Sequence, residues 1–188
     1  MNSVTALFLY VRVTLGLLFL VAGFSKARDL RAFEMSVSSF RIVSPRLARP
    51  VSRLVVAAEL AGSGLLLLAI AAWLGGVLIG LLLIAFIIAI SVNLRRGHRS
   101  LDCRCFGQPT TRIGWGHVAQ NVVLLAMAIA VATEARQAAP MMAIGAWSAT
   151  ALTVLPAVYS AVLFLAAQEL VSVKAGLLRV LSRGVQSG

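Results

Sequence analysis

The chain has 188 residues, of which 60% are hydrophobic and only 12% are charged. In soluble domains about a quarter of all residues are charged. This composition therefore excludes an ordinary soluble domain and indicates one small integral membrane bundle. The formal net charge of +11 would suggest nucleic-acid binding in a soluble protein. Because no aromatic-studded basic domain accompanies it, basic membrane loops explain the charge better. We therefore expect contact with membrane lipid and none with nucleic acid.

Five long apolar segments follow one another, at about 4–25, 52–72, 73–94, 116–133 and 142–168. Each is long enough to cross a hydrocarbon core of about 30 Å, although the fourth is short. Apolar runs without alternation exclude barrel strands, so the backbone must be helical. The first run is too long for a signal-peptide core and predicts a retained transmembrane helix. The sequence thus predicts an all-α integral membrane protein, a single domain over 1–188 with a bundle of four core transmembrane helices plus a fifth C-terminal transmembrane helix.

The loop after the first span contains an amphipathic pattern over about 29–42. Its apolar residues recur at helical spacing between polar ones, at Leu30, Phe33, Val37 and Phe40. This pattern predicts a short helix lying at the membrane interface. Proline interrupts helices, so we expect Pro45 and Pro50 to break this helix before the second span begins.

The loops differ strongly in charge. The first loop carries six basic residues from Lys26 to Arg49, the loop over 95–115 carries five, and the C-terminal tail carries three. The turn between the second and third spans carries none. Lysine and arginine accumulate on the cytoplasmic side, so the N-terminus is predicted outside, and the C-terminus and the 95–115 loop in the cytoplasm. The predicted location is the bacterial inner membrane, crossed several times.

Polar residues inside membrane spans are costly and suggest function. Glu59 lies within the second span, Lys26 closes the first, and Asn93 closes the third. The first span ends where the second begins, and the third span ends on that same side. All three residues therefore lie toward one side of the membrane. A lysine side chain can reach along a helix toward a carboxylate, so a Lys26–Glu59 pair is expected. It is either a buried strut that fixes helix register or part of a catalytic site.

The chain's two cysteines, Cys103 and Cys105, lie in the sequence DCRCFG at 102–107. A Cys-x-Cys disulfide closes a small ring that exchanges readily if strained. Arg104 favours the reactive thiolate, and Phe106 with Gly107 suggests a shaped turn. Redox-active thiols are the favoured interpretation, which makes this the redox loop (95–115) of a possible thiol–disulfide oxidoreductase.

Two alternatives remain open for the cysteines. They could form an inert pair or a static disulfide. They could also bind zinc together with His98 and His117, although the spacing differs from that of a usual zinc finger, and the prediction is that no metal is bound. The sequence assigns no cofactor. A membrane quinone is the one candidate, since Lys26 or Glu59 could bind its headgroup or move protons.

Three stretches together resemble the MauE branch of the MauE/DoxX membrane family. They are LGLLFLVAGFSKARDLRAF around the first span, AAELAGSGLLL in the second, and NLRRGHRSLDCRCFG after the third. The resemblance implies a helical bundle linked to thiol redox chemistry, with Cys103 and Cys105 as the redox pair and Lys26, Glu59 and Asn93 as supporting positions.

The resemblance also implies a pathway and partners. MauE proteins are linked to methylamine utilisation, where they are thought to help the disulfide-rich small subunit of methylamine dehydrogenase mature beside a thioredoxin-like protein. A maturation factor for an exported enzyme should show its thiols outside, whereas the charge asymmetry predicts them inside. The alternative function is a non-enzymatic membrane scaffold or export partner that holds the maturing subunit and the thioredoxin-like protein together. A transporter is disfavoured because no repeat or paired broken helix is visible.

Overall fold

The computed structural model of the protein describes residues 3–97 and 114–137, together with Pro156 and Tyr159. Five helices occupy these ranges: α1 (Ser3–Arg28), α2 (Leu30–Ser39), α3 (Pro45–Leu68), α4 (Ala72–Arg95) and α5 (Trp115–Gln137). Four of them, α1, α3, α4 and α5, are long and apolar enough to cross a membrane. The predicted all-α class with four core transmembrane helices is therefore confirmed. The predicted fifth span lies outside the described residues, apart from helical Pro156 and Tyr159.

The second membrane helix begins earlier than the sequence predicts. It starts at Pro45 rather than at about residue 52, and Pro50 lies inside it. Proline is well tolerated at Pro45, the first residue of the helix, because the first backbone N–H groups of a helix have no intrahelical acceptor. The break expected from the two prolines instead falls before Pro45, where Arg41 takes a left-handed conformation with φ of 51°.

The core of the bundle lies between the four long helices. α4 packs against α3 and α5, and α1 packs against α3 and α5. The buried apolar side chains that fill this space are Leu15, Leu18, Phe19, Leu66, Ile79, Leu83, Leu124, Ala128 and Val131. At Gly76 the two neighbouring helices come so close that a Cβ would lie 3.0 Å from the backbone oxygen of Ala128 and from the backbone nitrogen of Ala132. Small residues allow such close packing of membrane helices.

The short helix α2 rests on the side of the bundle within the predicted amphipathic segment. Asp29 caps it by accepting a hydrogen bond from the backbone N–H of Ala32 at 3.2 Å. Phe33 on its inner face is buried, whereas Met35 on the other face is 67% exposed. Phe40, just after the helix, packs against Ile90 near the end of α4. α2 therefore covers the bundle at the end where α1 stops and α3 starts.

Candidate functional site

α1 and α3 approach closely at the point where their two charged residues meet. Gly23 lies one turn before Lys26, and a Cβ at Gly23 would lie 3.2 Å from the Cβ of Glu59 and 3.0 Å from a methyl carbon of Leu60. A larger residue would push the two helices apart. The glycine thus allows Lys26 on α1 to reach Glu59 on α3 over a short distance.

Lys26 and Glu59 form a buried ion pair. The Lys26 Nζ donates hydrogen bonds to Oε1 of Glu59 at 2.7 Å and to Oε2 at 2.8 Å. Both side chains are fully buried. Hydrogen bonds between charged partners are short and strong, but removing both charges from water costs several kcal/mol for each ion. The pair predicted from the sequence therefore forms, and each charge depends on the other.

Two aromatic rings lie near the ammonium group. The Nζ of Lys26 lies 5.6 Å from the ring centre of Phe33 on α2 and 5.7 Å from that of Phe86 on α4. A cation near the face of a ring is stabilised, more so when water is excluded. The ammonium group therefore lies at the meeting point of α1, α2, α3 and α4.

Sequence reasoning missed three members of this arrangement: Phe33, Phe86 and Gly23. Phe33 did stand out as part of the amphipathic pattern of α2, although without a role at the charge. Phe86 lies in an almost uniformly apolar helix, so no pattern distinguishes it from its neighbours. Gly23 lies three residues before Lys26, and that spacing on one helix face is the signal that could have revealed it.

Asn93 lies at the same end of the bundle but apart from the ion pair. It follows Phe86 by seven residues on α4, which is about 10 Å along a helix at about 1.5 Å per residue. Its side chain is buried, and Nδ2 donates a hydrogen bond to the carbonyl oxygen of Ala89 in the same helix at 3.0 Å. The structure thus brings Lys26 and Glu59 together and leaves Asn93 two turns nearer the loop.

A second buried asparagine lies on α5. Asn121 donates from Nδ2 to the carbonyl oxygen of His117 at 2.8 Å, and its buried Oδ1 has no hydrogen-bond partner within the described ranges. His117 itself accepts a hydrogen bond at Nδ1 from the backbone N–H of Gly114 at 3.3 Å. That contact ties the histidine to the start of α5.

The predicted redox loop lies mostly outside the described residues. Those not described include the pair Cys103 and Cys105 and their predicted supporting residues Arg104, Phe106 and Gly107. Both anchors of the loop are described, since α4 ends at Arg95 and α5 begins at Trp115. Phe86 precedes Arg95 by nine residues, which places the ring beside Lys26 about 14 Å along α4 from the start of the loop.

The zinc alternative is tested only in part. Within 3–97 and 114–137, no group of three or more histidine, cysteine, aspartate or glutamate residues could hold a metal ion. Of its four suggested ligands, His117 alone lies in the described chain. A zinc site at the cysteines therefore stays an untested alternative.

The quinone prediction concerns the surroundings of the ion pair. Phe33 and Phe86 line a partly open cavity of about 200 Å³ between α2, α3 and α4. Its described lining is apolar apart from Ser36. The cavity can take an apolar group, and Lys26 already gives hydrogen bonds to both oxygens of Glu59. A quinone headgroup at this pair stays a prediction.

These features define a class of protein: a small multi-pass membrane protein whose helices enclose one buried lysine–glutamate pair. Residues 4–134 match the family model described as "Methylamine utilisation protein MauE". This match covers more than half of the chain, and the protein belongs to the MauE family. The wider link to DoxX stays a prediction.

Curated relatives agree with the family. The chain is 33% identical over 131 residues to methylamine utilization protein MauE of Paracoccus denitrificans, covering 69% of this chain and 70% of that protein. It is 34% identical over 131 residues to the protein of the same name from Paracoccus versutus, with the same coverage. It is 29% identical over 166 residues to that of Methylophilus methylotrophus, covering 87% of this chain and 85% of the relative. No solved structure matches the chain.

Proposed function

We propose that this protein is a membrane component of thiol–disulfide exchange that assists the maturation of a partner protein in methylamine utilisation. Membership in the MauE family supports the pathway. The observation that carries the chemistry is a Cys-x-Cys pair, Cys103 and Cys105, in the loop between α4 and α5. The small subunit of methylamine dehydrogenase is the proposed substrate, and a thioredoxin-like protein is the proposed redox partner.

The proposed reaction is two exchange steps that conserve electrons. A thiolate of the substrate attacks the disulfide between Cys103 and Cys105, forming a mixed disulfide and releasing one cysteine as a thiolate. A second substrate thiolate attacks the substrate sulfur of the mixed disulfide, which closes the substrate disulfide and releases the other cysteine. Two electrons and two protons thus pass from the substrate to the Cys-x-Cys pair.

The pair must then be reoxidised. One cysteine attacks the disulfide of the thioredoxin-like protein, and the other resolves the mixed disulfide, so the two electrons leave with that partner. The guanidinium group of Arg104, between the two cysteines, favours the thiolate that performs the attack. Phe106 and Gly107 are proposed to shape the turn that presents the thiols.

The geometry supports a positioning role for Lys26 and Glu59. Both carboxylate oxygens accept hydrogen bonds from Nζ, and neighbouring Phe86 lies about 14 Å along α4 from the start of the loop. The pair is therefore proposed to lock α1 against α3, and so to fix the end of the bundle to which the loop is attached. Asn93 is proposed to stabilise the end of α4 that leads into the redox loop.

The decisive experiment replaces Cys103 and Cys105 with serine, singly and together, in a methylamine-utilising strain that lacks its own MauE. Each variant is expected to abolish growth on methylamine and to leave the small subunit of the dehydrogenase with free thiols, measured by alkylation and mass spectrometry. The serine variants must accumulate in the membrane like the parent protein. Normal growth with a fully oxidised small subunit would reject thiol exchange and favour the scaffold function.

A further inference from the structure

A strongly basic groove lies on the outer side of α2, away from the ion pair. It is an open space of about 1100 Å³ between α2 and the first turns of α3. Four arginines line it: Arg31, Arg46, Arg49 and Arg53. One acidic residue, Glu34, faces them, with its Oε2 at 3.6 Å from the Nε of Arg49. The groove lining therefore carries a net charge of +3.

The four arginines line the same open space. Three lie on α3 at positions i, i+3 and i+7, which share one helix face. Arg31 approaches the same space from α2. The Arg49 side chain is 71% exposed, whereas Glu34 is only 18% exposed, so the acidic group lies deeper and leaves guanidinium groups facing the opening.

Exposed apolar side chains lie in and beside the groove, where contact with water would be unfavourable. Met35 belongs to its lining and is 67% exposed. On the same stretch of α3, Leu47 is 54% exposed and Leu54 is 70% exposed. Arginine next to exposed aliphatic side chains marks the boundary between headgroups and hydrocarbon, where α3 enters the membrane.

We propose that this groove binds the phosphate group of an anionic phospholipid. Guanidinium groups pair with phosphate oxygens in a bidentate way, and several of them together can surround one phosphate. Met35 and the exposed leucines of α3 then contact the acyl chains below the headgroup. A soluble phosphate compound would use the arginines but would gain nothing from the apolar rim. The site is independent of the thiol chemistry proposed above.

The test measures lipid binding to the full-length protein in detergent by native mass spectrometry, with phosphatidylglycerol and phosphatidylcholine as probes. The parent protein is expected to prefer phosphatidylglycerol. The double variant Arg46→Gln with Arg49→Gln is expected to bind it at least tenfold more weakly. The matched control is Arg95→Gln with Arg96→Gln, which removes two exposed charges on the same side of the membrane, and a change of less than twofold is expected.

A second double variant keeps the proposal testable if the first one misfolds. Arg31→Gln with Arg53→Gln removes the other two groove charges and is expected to give the same tenfold loss, with thermal unfolding measured for every variant. Equal losses in the groove and control variants, or no preference for phosphatidylglycerol in the parent protein, would overturn the proposal. Competition with inorganic phosphate distinguishes a lipid from a soluble phosphate ligand. Displacement of the lipid by equimolar phosphate would overturn the lipid assignment.

Discussion

Lys26 on α1 gives both of its described hydrogen bonds to the two carboxylate oxygens of Glu59 on α3, at 2.7 and 2.8 Å, in a part of the bundle closed to solvent. The two residues are 33 positions apart in the chain. Since each charge is compensated chiefly by the other, the energetic consequence of a substitution depends on whether one partner or both are removed.

Removing one partner of this pair should destabilise the protein more than removing both. Glu59→Leu or Lys26→Leu removes one member of a buried ion pair and leaves the other charge buried, which typically costs about 3–5 kcal/mol. The double variant Lys26→Leu with Glu59→Leu leaves no charge and should recover a large part of that loss. Thermal unfolding in detergent and membrane accumulation are the measurements. A double variant as unstable as the worse single variant would show that the charges are not energetically coupled.

The ring of Phe86 should contribute to stability through the charge of Lys26 as well as through its own packing. Phe86→Leu keeps an apolar side chain but removes the ring that lies 5.7 Å from the ammonium group, and a loss of about 1–2 kcal/mol is expected. Phe24→Leu is the control, because the Phe24 ring lies 4.7 Å from the Arg28 guanidinium but is 54% exposed. For Phe24→Leu the expected loss is about 0.5 kcal/mol, at the lower end of the range for exposed cation–π contacts.

The contribution of charge to the Phe86 effect can be separated from packing. In a Lys26→Leu, Glu59→Leu background, Phe86→Leu should cost measurably less than in the parent protein, because no cation remains beside the ring. Equal costs in the two backgrounds, measured by thermal unfolding, would assign the whole effect of Phe86 to packing.

The sequence was sufficient to predict the ion pair because both partners violate the apolar pattern. A lysine closing one span and a glutamate within the next must lie toward the same side when a single loop joins the spans, and two charges excluded from water must find each other. The four-span fold was predictable from the apolar pattern itself, since long apolar runs in lipid permit only helices.

The remaining features depend on packing, which composition does not encode. Phe86 lies on a helix that is apolar on nearly every side, so its proximity to Lys26 becomes visible only once the helices are packed together. Asn93 lies at the same end of the bundle as the ion pair. Its side chain instead donates a hydrogen bond within its own helix, to the carbonyl oxygen of Ala89. The start of α3 was missed because proline is a breaker within a helix but a favourable residue at its first position.

Close packing of α4 against α5 should make Gly76 sensitive to one added methyl group. A Cβ there would lie 3.0 Å from backbone atoms of Ala128 and Ala132, which cannot move aside as a flexible side chain can. Gly76→Ala should therefore lower stability by about 1–3 kcal/mol. Gly64→Ala is the matched control, because among the described residues no atom beyond its own stretch of helix lies within 4 Å of its added Cβ, and alanine favours the helix by about 1 kcal/mol. Equal unfolding temperatures for the two variants would contradict the close contact.

The side of the membrane that Cys103 and Cys105 face can be measured directly. The charge asymmetry predicts the cytoplasm, so an impermeant maleimide should label these thiols in inverted vesicles and not in intact cells. Ile70→Cys, in a background with both native cysteines changed to serine, is the control: residue 70 is 78% exposed in the turn between α3 and α4 and should label only in intact cells. Because α4 alone separates residue 70 from the cysteines and crosses the membrane once, the two positions must label from opposite sides. Labelling of Cys103 and Cys105 in intact cells, with Ile70→Cys labelled only in inverted vesicles, would reverse the predicted topology and bring the thiols to the compartment where an exported subunit matures.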